Sequence, residues 1–375
     1  MIDVLFYSSS HGFGHASRDY QVIRALNALD QRVRAHVRSA VADWFSANAL
    51  DGVPCDRSSA RLDLGIVQSD SLQQDLKKTL EACRANLSER PRLIEQEVAL
   101  MHALQPKLIV ADMPGIPFVA ARRVGIPALA FGNFSWDWIY DAFVDAHPGF
   151  AEIRDSFSAD YALADGLLRL PFHGGAVSSA AFRAVEDMPL VARESTVSRG
   201  ETRHRLGLPS DVPVVLLSFG GLGAGAIDAA ALEVPELRRF QFVVTPPVSS
   251  ATPHSSRFRT IENARLTMCG LSYPDLVHAS DVVLTKPGYG IVSECLINET
   301  RVLYTSRGEF REYPNLVEAL ERDGAAAFIP PEDFRAGHWA PYLETLLARP
   351  TRACPFPRDG AASVARILLD RIRKT

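Results

Sequence analysis

Short apolar runs rich in β-branched residues alternate along this chain with longer segments of helical periodicity, and this alternation limits the folds open to it. The runs are VLFYSS (4–9), VRAHVRS (33–39), KLIVAD (107–112), PALAFG (127–132), VVLLSF (214–219), FQFVVT (240–245), DVVLTK (281–286) and RVLYTS (301–306). Between them, segments 19–29 and 87–104 carry apolar residues at helical intervals, as amphipathic crossover helices do. Strands that alternate with helices are typical of α/β proteins with parallel sheets. We therefore predict doubly wound parallel sheets.

The chain is long enough for two domains. Its 375 residues exceed what one hydrophobic core usually organises. A stretch rich in charge, proline and glycine, 185–211, separates two strand series, and each series opens with a strand followed by a glycine-rich turn. We predict two Rossmann-like domains facing a cleft, at 1–186 and 212–360, with a linker at 187–211. The last residues, 361–375, are predicted to form an amphipathic helix, and its packing back on the first domain stays open.

Composition and charge exclude several classes of protein. The chain is 47% hydrophobic and 22% charged with a net charge of -4, so it lacks the excess of basic residues that a nucleic-acid binder needs. Its five cysteines are scattered and odd in number, which argues against a disulfide framework and a zinc site and fits a cytoplasmic protein. Five arginines of the first domain could contact anionic lipid at the membrane surface or form a solvated helix face. They are Arg18, Arg24, Arg32, Arg34 and Arg38.

The first glycine-rich turn, HGFGHAS (11–17), follows the first predicted strand directly. Gly14 would let a ligand approach the backbone at the start of the next helix. As a dinucleotide-binding fingerprint the turn is poor, because Ser17 replaces the third glycine and Arg38 stands near the place of the acidic ribose ligand. NAD binding is therefore not expected.

His15 of this turn is a candidate general base. It lies where a strand becomes a helix, at the carboxyl edge of a parallel sheet, which is where α/β proteins bind ligands. A neutral imidazole at such a place could take a proton from a substrate hydroxyl, or it could simply bond a nearby carbonyl. Asp112 ends another strand at the same edge. It could orient the imidazole of His15 or His11, or cap the helix that follows it.

The second glycine-rich turn, GGLGAGA (220–226), follows the first strand of the second domain. The backbone amides of Gly220, Gly221 and Gly223 could hold phosphate oxygens, or the turn could bind nothing. No Walker lysine follows, so hydrolysis of a nucleoside triphosphate at a P-loop is disfavoured.

A strand, a glycine turn and a helix follow in segment 279–295 and point most directly to a nucleotide. Lys286 and Gly288 lie in the turn, and Glu294 lies in the helix. A glutamate there could accept hydrogen bonds from both ribose hydroxyls, while the turn and the helix N-terminus face a diphosphate. The alternative is a surface helix with a solvated glutamate.

These motifs together resemble the GT-B glycosyltransferases of the MurG type (glycosyltransferase family 28). The resemblance places Gly14 and His15 in the N-terminal loop of that family, Gly220, Gly221 and Gly223 in its diphosphate loop, and Gly288 and Glu294 in its ribose motif. It also implies that Arg193, at the domain boundary, reaches the cleft. A nucleotide sugar would then bind the second domain and an acceptor the first.

A closer resemblance is to the glycosyltransferase-like N-terminal half of plant-type L-arabinokinases. The start HGFGHA, the aromatic segment NFSWDWIY (133–140) and the stretch EFREYPNLVEAL (309–320) carry it. The aromatic residues of the second segment could stack on an acceptor at the mouth of the cleft or equally form core. We place the acceptor near His11, Asn133, Trp136 and Asp137, and Asp137 is a second candidate acid or base. A kinase-type Gly-Leu-Ser-Ser-Ser loop is not found in the sequence, so sugar phosphorylation is not expected.

One departure from the resemblance concerns the donor sugar. Where the MurG-like and plant enzymes carry an Asp-Gln or Gln-Gln pair that reads sugar hydroxyls, this chain has Arg311 and Glu312. The pair could bind a charged or differently configured sugar, or form a surface ion pair worth little.

The function predicted from sequence is an inverting, metal-independent glycosyl transfer from a nucleoside-diphosphate sugar, UDP-linked, with no cofactor. His15 would be the base, Asp112 would orient it, and Glu294 would hold the ribose. Two alternatives stay open. One is a non-catalytic module that binds a nucleotide sugar, and the other is a sugar-nucleotide 2-epimerase.

Overall fold

The computed structural model describes residues 1–68, 74–219, 234–246, 257–351 and 353–374. The strands are β1 (Ile2–Ser8), β2 (Val33–Arg38), β3 (Cys55–Ser58), β4 (Leu108–Asp112), β5 (Ala128–Gly132), β6 (Gly166–Arg169), β7 (Val185–Asp187), β8 (Val214–Ser218), β9 (Gln241–Val244), β10 (Phe258–Thr260), β11 (Val282–Thr285), β12 (Arg301–Tyr304) and β13 (Ala326–Phe328). All eight runs predicted from the sequence coincide with one of these strands.

The helices connect the strands as crossovers. They are α1 (Gly14–Leu29), α2 (Asp43–Ala49), α3 (Leu76–Leu104), α4 (Ile116–Val124), α5 (Trp136–Asp141), α6 (Phe150–Tyr161), α7 (Arg199–Leu206), α8 (Asn263–Met268), α9 (Tyr273–Ala279), α10 (Tyr289–Ile297), α11 (Tyr313–Asp323), α12 (Pro331–Ala336), α13 (Ala340–Leu347) and α14 (Gly360–Arg373). Within the described ranges, no helix is both long and apolar enough to cross a bilayer.

Two parallel sheets organise the molecule. In the described residues the first has the order β3-β2-β1-β4-β5-β6-β7 and the second the order β10-β9-β8-β11-β12-β13. In each sheet the first strand pairs on one side with the second strand and on the other with a strand reached by a longer crossover. The change of direction beside β1 and β8 creates a crevice at the carboxyl ends of the strands. The predicted fold class, two doubly wound α/β domains, is confirmed.

The central strands are buried on both faces, as the near-continuous apolar runs predicted. Val4, Leu5 and Phe6 of β1 are almost fully buried, as are all residues of β4 and β11. The first sheet ends with β7 at Asp187 and the second begins with β8 at Val214, and helix α7 lies between them. The domain limits proposed above stay predictions.

The last helix, α14, packs against α1 of the first domain. The helix begins at Gly360, where an added Cβ would lie 2.1 Å from the Leu190 carbonyl oxygen. The chain therefore returns from the second domain to the first, and it does so through a backbone contact that leaves no room for a side chain.

Gly360→Ala should therefore lower the free energy of unfolding by about 1–3 kcal/mol, the usual cost of overpacking. Urea denaturation followed by circular dichroism measures it. Gly200→Ala is the matched control, since among the described residues nothing lies within 4 Å of its Cβ position in α7. That variant should be as stable as the parent or up to about 1 kcal/mol more stable. Equal stability of the two variants would contradict this account of the α14 contact.

Candidate active site

A cavity of about 1530 Å³ lies between the two domains. On one side it is lined by His11 in the turn after β1 and by His15 at the start of α1. On the other side it is lined by Ser218 and Thr285 at the ends of β8 and β11. Crevices at the carboxyl ends of parallel strands are the usual ligand sites of open α/β sheets. The predicted cleft is thus present, with groups from both domains facing it.

His15, Arg18 and Asp112 form a buried cluster beside this cavity. The His15 Nδ1 atom is 2.9 Å from Asp112 Oδ1. Arg18 donates to the same carboxylate from Nε (2.6 Å) and from Nη2 (2.6 Å), and its Nη2 lies 3.1 Å from His15 Nδ1. The structure thus brings together the two residues predicted to be catalytic and adds an arginine to them.

Local structure explains this arrangement. His15 and Arg18 are three residues apart in α1 and so share one face of the helix. Asp112 ends β4, where it pairs in register with Ser8 of β1, and the Ser9 amide donates to its carbonyl oxygen (3.1 Å). The helix face and the strand end therefore meet at the carboxyl edge of the sheet.

The charges in the cluster stabilise each other. Burial alone would raise the pKa of Asp112, but the nearby Arg18 and His15 outweigh burial and lower this pKa to about 2. Burial alone would lower the pKa of Arg18, and the adjacent Asp112 carboxylate raises it instead. Asp112 is thus a carboxylate and Arg18 a guanidinium at every physiological pH.

The carboxylate also fixes the imidazole. Because an ionised Asp112 can only accept a hydrogen bond, we assign the His15 ring proton to Nδ1. In the neutral imidazole, Nε2 is then the nitrogen that carries no proton. His15 lines the cavity, and its ring is further held edge-on against Phe134, with 5.6 Å between the ring centres. The pair has the composition and geometry of a general base with its orienting carboxylate.

Asp19 is a second buried carboxyl behind this pair. Ser8 Oγ donates to Asp19 Oδ2, and the other oxygen has no partner among the described residues. Burial, followed by the charge of the neighbouring Asp112, raises the pKa of Asp19 well above its ordinary value. The raised pKa favours the neutral carboxylic acid of Asp19, which can donate a hydrogen bond towards Asp112.

Folding raises the pKa of the Asp19 carboxyl. The free energy of unfolding therefore falls as the pH rises from the pKa of this group in the unfolded chain towards its pKa in the folded protein. Asp19→Asn keeps an acceptor for Ser8 and a donor for Asp112 but cannot ionise. Relative to the parent, this variant should therefore gain stability with increasing pH, by at most about 1.4 kcal/mol per pH unit. Urea denaturation of both proteins at pH 5, 6, 7 and 8 measures the difference. A difference that does not change with pH would mean that Asp19 is ionised in the folded protein.

Helices α1 and α10 meet across the cleft at two glycines. A Cβ on Gly290 would lie 3.3 Å from the Cα of Gly14, so the two backbones are in direct contact. Arg18 lies next to this contact, with its guanidinium 4.6 Å from the ring centre of Tyr289. Gly14 thus allows the two domains to approach each other, in addition to its predicted place beside a ligand.

Glu294 and Arg193 line the opposite part of the cavity. Arg193 Nε donates to Glu294 Oε1 (2.5 Å), and the Arg193 guanidinium lies 5.7 Å from the ring centre of Tyr273 and 5.8 Å from that of Phe45. Tyr273 is itself held by a hydrogen bond between its hydroxyl and Ser218 Oγ (2.7 Å). The predicted ribose ligand is therefore a buried, oriented carboxylate at the cavity surface.

The N-terminus of α10 also faces the cavity. Gly288 precedes the helix and gives it no side-chain cap, so the first amides of α10 are available to a ligand. Lys286 lies just before it, and its Nζ is 3.4 Å from Gln68 Oε1 of the first domain. Such a terminus with an adjacent cation is suited to an anion. The predicted diphosphate residues Gly220, Gly221 and Gly223 lie outside the described residues.

Arg311 and Glu312, predicted to read the donor sugar, both contact the first domain. Arg311 Nη1 donates to the Trp138 carbonyl oxygen (2.5 Å) and to Asp141 Oδ2 (2.9 Å). Glu312 Oε1 accepts from Asn133 Nδ2 (2.8 Å). Of the two, the described cavity lining includes Glu312 but not Arg311. A sugar contact of Arg311 stays a prediction, and in this conformation the residue joins the domains.

The predicted acceptor residues divide into two groups. His11 lines the cavity, and burial together with the charges of Arg307, His15 and Lys286 lowers its pKa to about 3, so its imidazole is neutral. Trp136 is fully buried and donates from Nε1 to Asp63 Oδ2 (2.7 Å). Neither Trp136 nor Asp137 is among the described residues that line the cavity. Trp136 thus packs beneath His11, with 5.4 Å between the ring centres.

Sequence reasoning missed four residues of the site. Arg18 could have been found, because a position three residues after His15 on a helix shares its face. Asp19, Tyr273 and Arg307 gave no such signal. Asp19 and Tyr273 contact groups far away in the sequence, Asp112 and Ser218. Arg307 is placed by the Pro287 carbonyl oxygen and by Glu312. In the described part of the chain, no three His, Cys, Asp or Glu side chains are grouped so as to hold a metal ion.

No family model matches the sequence of this chain, but several solved structures superpose on it. Phytolacca americana UGT2, complexed with UDP-2fluoro-glucose and pterostilbene, superposes with a TM-score of 0.61 at 12% identity, covering 100% of this chain and 94% of that one. A UDP-glucosyltransferase from Polygonum tinctorium gives a TM-score of 0.62 at 15% identity, covering 100% and 99%. The chain has the GT-B glycosyltransferase fold.

Curated relatives of this GT-B chain support the two resemblances noted in its sequence. L-arabinokinase from Arabidopsis thaliana is 33% identical over 346 residues, which are 92% of this chain and 32% of that protein. The chain therefore spans about a third of that relative and is homologous to it over this part. A UDP-N-acetylglucosamine transferase acting on a pyrophosphoryl-undecaprenol acceptor, from Clavibacter michiganensis, is 25% identical over 276 residues, 68% of each protein.

Proposed function

We propose that this GT-B protein transfers a hexosyl or N-acetylhexosaminyl group from a UDP-linked sugar to a hydroxyl acceptor, with inversion and without a metal ion. The observation that carries the proposal is the His15–Asp112 pair, which faces Glu294 and the N-terminus of α10 across one cavity. The printed names of two relatives, a UDP-N-acetylglucosamine transferase and a UDP-glucosyltransferase, support the donor class.

In the proposed reaction, His15 Nε2 takes the proton of the acceptor hydroxyl as its oxygen attacks the anomeric carbon. The bond from that carbon to the diphosphate oxygen breaks on the opposite face, so a single displacement inverts the configuration. The ionised Asp112 stabilises the imidazolium that forms. The leaving diphosphate receives hydrogen bonds from the first amides of α10 and the charge of Lys286.

The ribose of the donor would bind Glu294. Arg193 holds one carboxylate oxygen, which leaves the second oxygen for the ribose hydroxyls. Because Arg193 belongs to the segment that joins the domains, it would place the nucleotide at the boundary between them.

Titration calorimetry with UDP, GDP, dTDP and ADP, followed by turnover assays with the matching sugar nucleotides, tests the proposal. We expect selective binding of UDP and an inverted product with an added acceptor, unchanged by EDTA. Tight binding of UDP without turnover of any donor would favour a binding module, and release of UDP from the donor without acceptor would favour an epimerase. Absence of binding to all four diphosphates would contradict the proposal.

Glu294→Ala should weaken UDP binding by about ten- to a hundredfold, because hydrogen bonds to a charged group contribute about 1.5–3 kcal/mol. Glu318→Ala is the control, since Glu318 is an exposed residue of α11 paired only with Arg322 among the described side chains. Its UDP affinity should equal that of the parent. Equal affinities of all three proteins, measured by calorimetry, would place the nucleotide elsewhere.

A further inference from the structure

Asn133 lies between the domains, and its amide group is hydrogen bonded on both sides. Its Nδ2 donates to Glu312 Oε1 of the second domain (2.8 Å), and its Oδ1 accepts from Arg18 Nη1 of the first (2.7 Å). The reversed amide would turn an NH₂ group towards a guanidinium and an oxygen towards a carboxylate. The contacts on both sides therefore fix one orientation of Asn133, which is almost fully buried.

Arg18 extends this contact to the proposed base. Its Nη1 binds Asn133, while Nε and Nη2 bind Asp112, and Nη2 also lies 3.1 Å from His15 Nδ1. A guanidinium is planar and rigid, so a shift at its Asn133 end also moves the nitrogens at its Asp112 end. The position of the His15–Asp112 pair thus depends on what Asn133 contacts.

The other end of the connection lies at the proposed diphosphate site. The second oxygen of Glu312, Oε2, accepts from Arg307 Nη1 (2.9 Å), and the same nitrogen lies 3.3 Å from the carbonyl oxygen of Pro287. Pro287 directly precedes Gly288 at the start of α10. Arg307 Nε is buried and has no hydrogen-bond partner among the described residues, although Arg307 lines the cavity. Hydrogen bonds therefore connect the donor side to the base without a gap, through Glu312, Asn133 and Arg18.

We propose that Glu312, Asn133 and Arg18 form an interdomain bridge that positions the His15–Asp112 pair, so that the base is correctly oriented only when the donor-binding domain is seated on the first domain. Asn133 and Arg18 are then positioning residues for the transfer reaction. The expected effect on turnover rests on the function proposed above. The structural part of the proposal, the dependence of His15 on Glu312, can be measured without any substrate.

The experiment uses the full chain labelled with ¹⁵N-histidine, whose imidazole shifts report which ring nitrogen carries the proton and how strongly it is bonded. Spectra of the parent, Asn133→Asp, Glu312→Ala and the double variant are recorded without ligand and with saturating UDP, and His15→Gln assigns the signal. Asn133→Asp keeps an acceptor for Arg18 but opposes a second carboxylate to Glu312, so it breaks the contact between the domains while adding a charge beside Arg18. Glu312→Ala breaks the same contact without that added charge. Asp141→Asn is the matched control, because it weakens the separate contact of Arg311 without touching the bridge.

We expect both single variants to shift the His15 imidazole signals in the same direction, and the double variant to shift them no further. Asp141→Asn should leave them unchanged. In turnover assays, Asn133→Asp should lower kcat by about ten- to a hundredfold, the size expected when a catalytic group is displaced, with UDP affinity within about twofold of the parent.

Unchanged His15 signals in Asn133→Asp and in Glu312→Ala would overturn the proposal. So would equal shifts in Asp141→Asn, which would mean that any loosening of the domains disturbs the base. If the signals shift as expected but no donor is turned over, the bridge stands and the proposed transfer fails. If either Asn133→Asp or Glu312→Ala does not fold, the other variant still tests the contact between these two residues, because it changes the partner in the opposite domain.

Discussion

His15→Ala should lower kcat for sugar transfer by about 10²–10⁴-fold, the usual contribution of a general base, while UDP affinity stays within a few fold of the parent. The reason is geometric, since His15 lies beside the carboxylate of Asp112 and lines the cavity on the side opposite Glu294. Steady-state kinetics with saturating donor, and calorimetry with UDP, measure the two quantities separately.

His102→Ala is the control for this prediction, because His102 is exposed on α3 and lies outside the cavity. Added imidazole should restore part of the activity of His15→Ala, since the space left by the side chain can admit a small base. Full activity of His15→Ala at every pH tested would assign the base to another group. Loss of UDP binding together with activity would mean that the residue holds the donor rather than the acceptor proton.

Arg18→Met should lower the free energy of unfolding by about 3–5 kcal/mol at pH 7, the cost of leaving one partner of a buried ion pair alone. Asp112 has almost no exposed surface and would keep a charge that no other cation of the described residues neutralises as closely. The loss should be smaller at pH 5 than at pH 8, because protonation of Asp112 in the variant removes the unpaired charge. Urea denaturation at the two pH values measures it.

The matched control is Arg32→Met, which breaks an ion pair of the same kind at the surface. The Arg32 side chain is 74% exposed and pairs with Asp30, so its loss should cost no more than about 1 kcal/mol. A small, pH-independent effect of Arg18→Met would show that a water molecule or a rearranged side chain replaces the guanidinium. An activity assay on Arg18→Met then tests whether loss of the guanidinium displaces His15.

Most of the strands that the sequence predicted are buried on both faces, and β2, with alternating buried and half-buried residues, is the exception. Their continuous apolar runs, such as those of β4 and β11, can be recognised in the sequence because parallel central strands carry few polar residues. Five strands were missed, and all of them are short. The edge strands β3 and β7 are largely exposed, with sequences CDRS and VED that carry no apolar run. Such strands form because a neighbouring strand offers hydrogen-bond partners to their backbone. The local amino-acid sequence gives no sign of that neighbour.

The candidate site was predictable where a residue ends a strand, lies in the glycine turn after it, or lies in the first two turns of the following helix. His15, Asp112, Gly288 and Glu294 belong to this group, since the carboxyl edge of a parallel sheet fixes their approximate place. The roles of Arg311 and Trp136 were harder to predict, because a residue type does not reveal whether it faces a cavity, a core or another domain.

The return of α14 to the first domain determines how the protein responds to proteolysis and how its domains can move. Two covalent connections run between the domains, one through Arg193 and one through the stretch before Gly360. A protease cut in the first connection would leave two fragments without a covalent bond between them. They would still be held together, because the second connection carries α14, which packs on α1. For the same reason, we expect the cleft to open by rotation of one domain about an axis that passes near both connections.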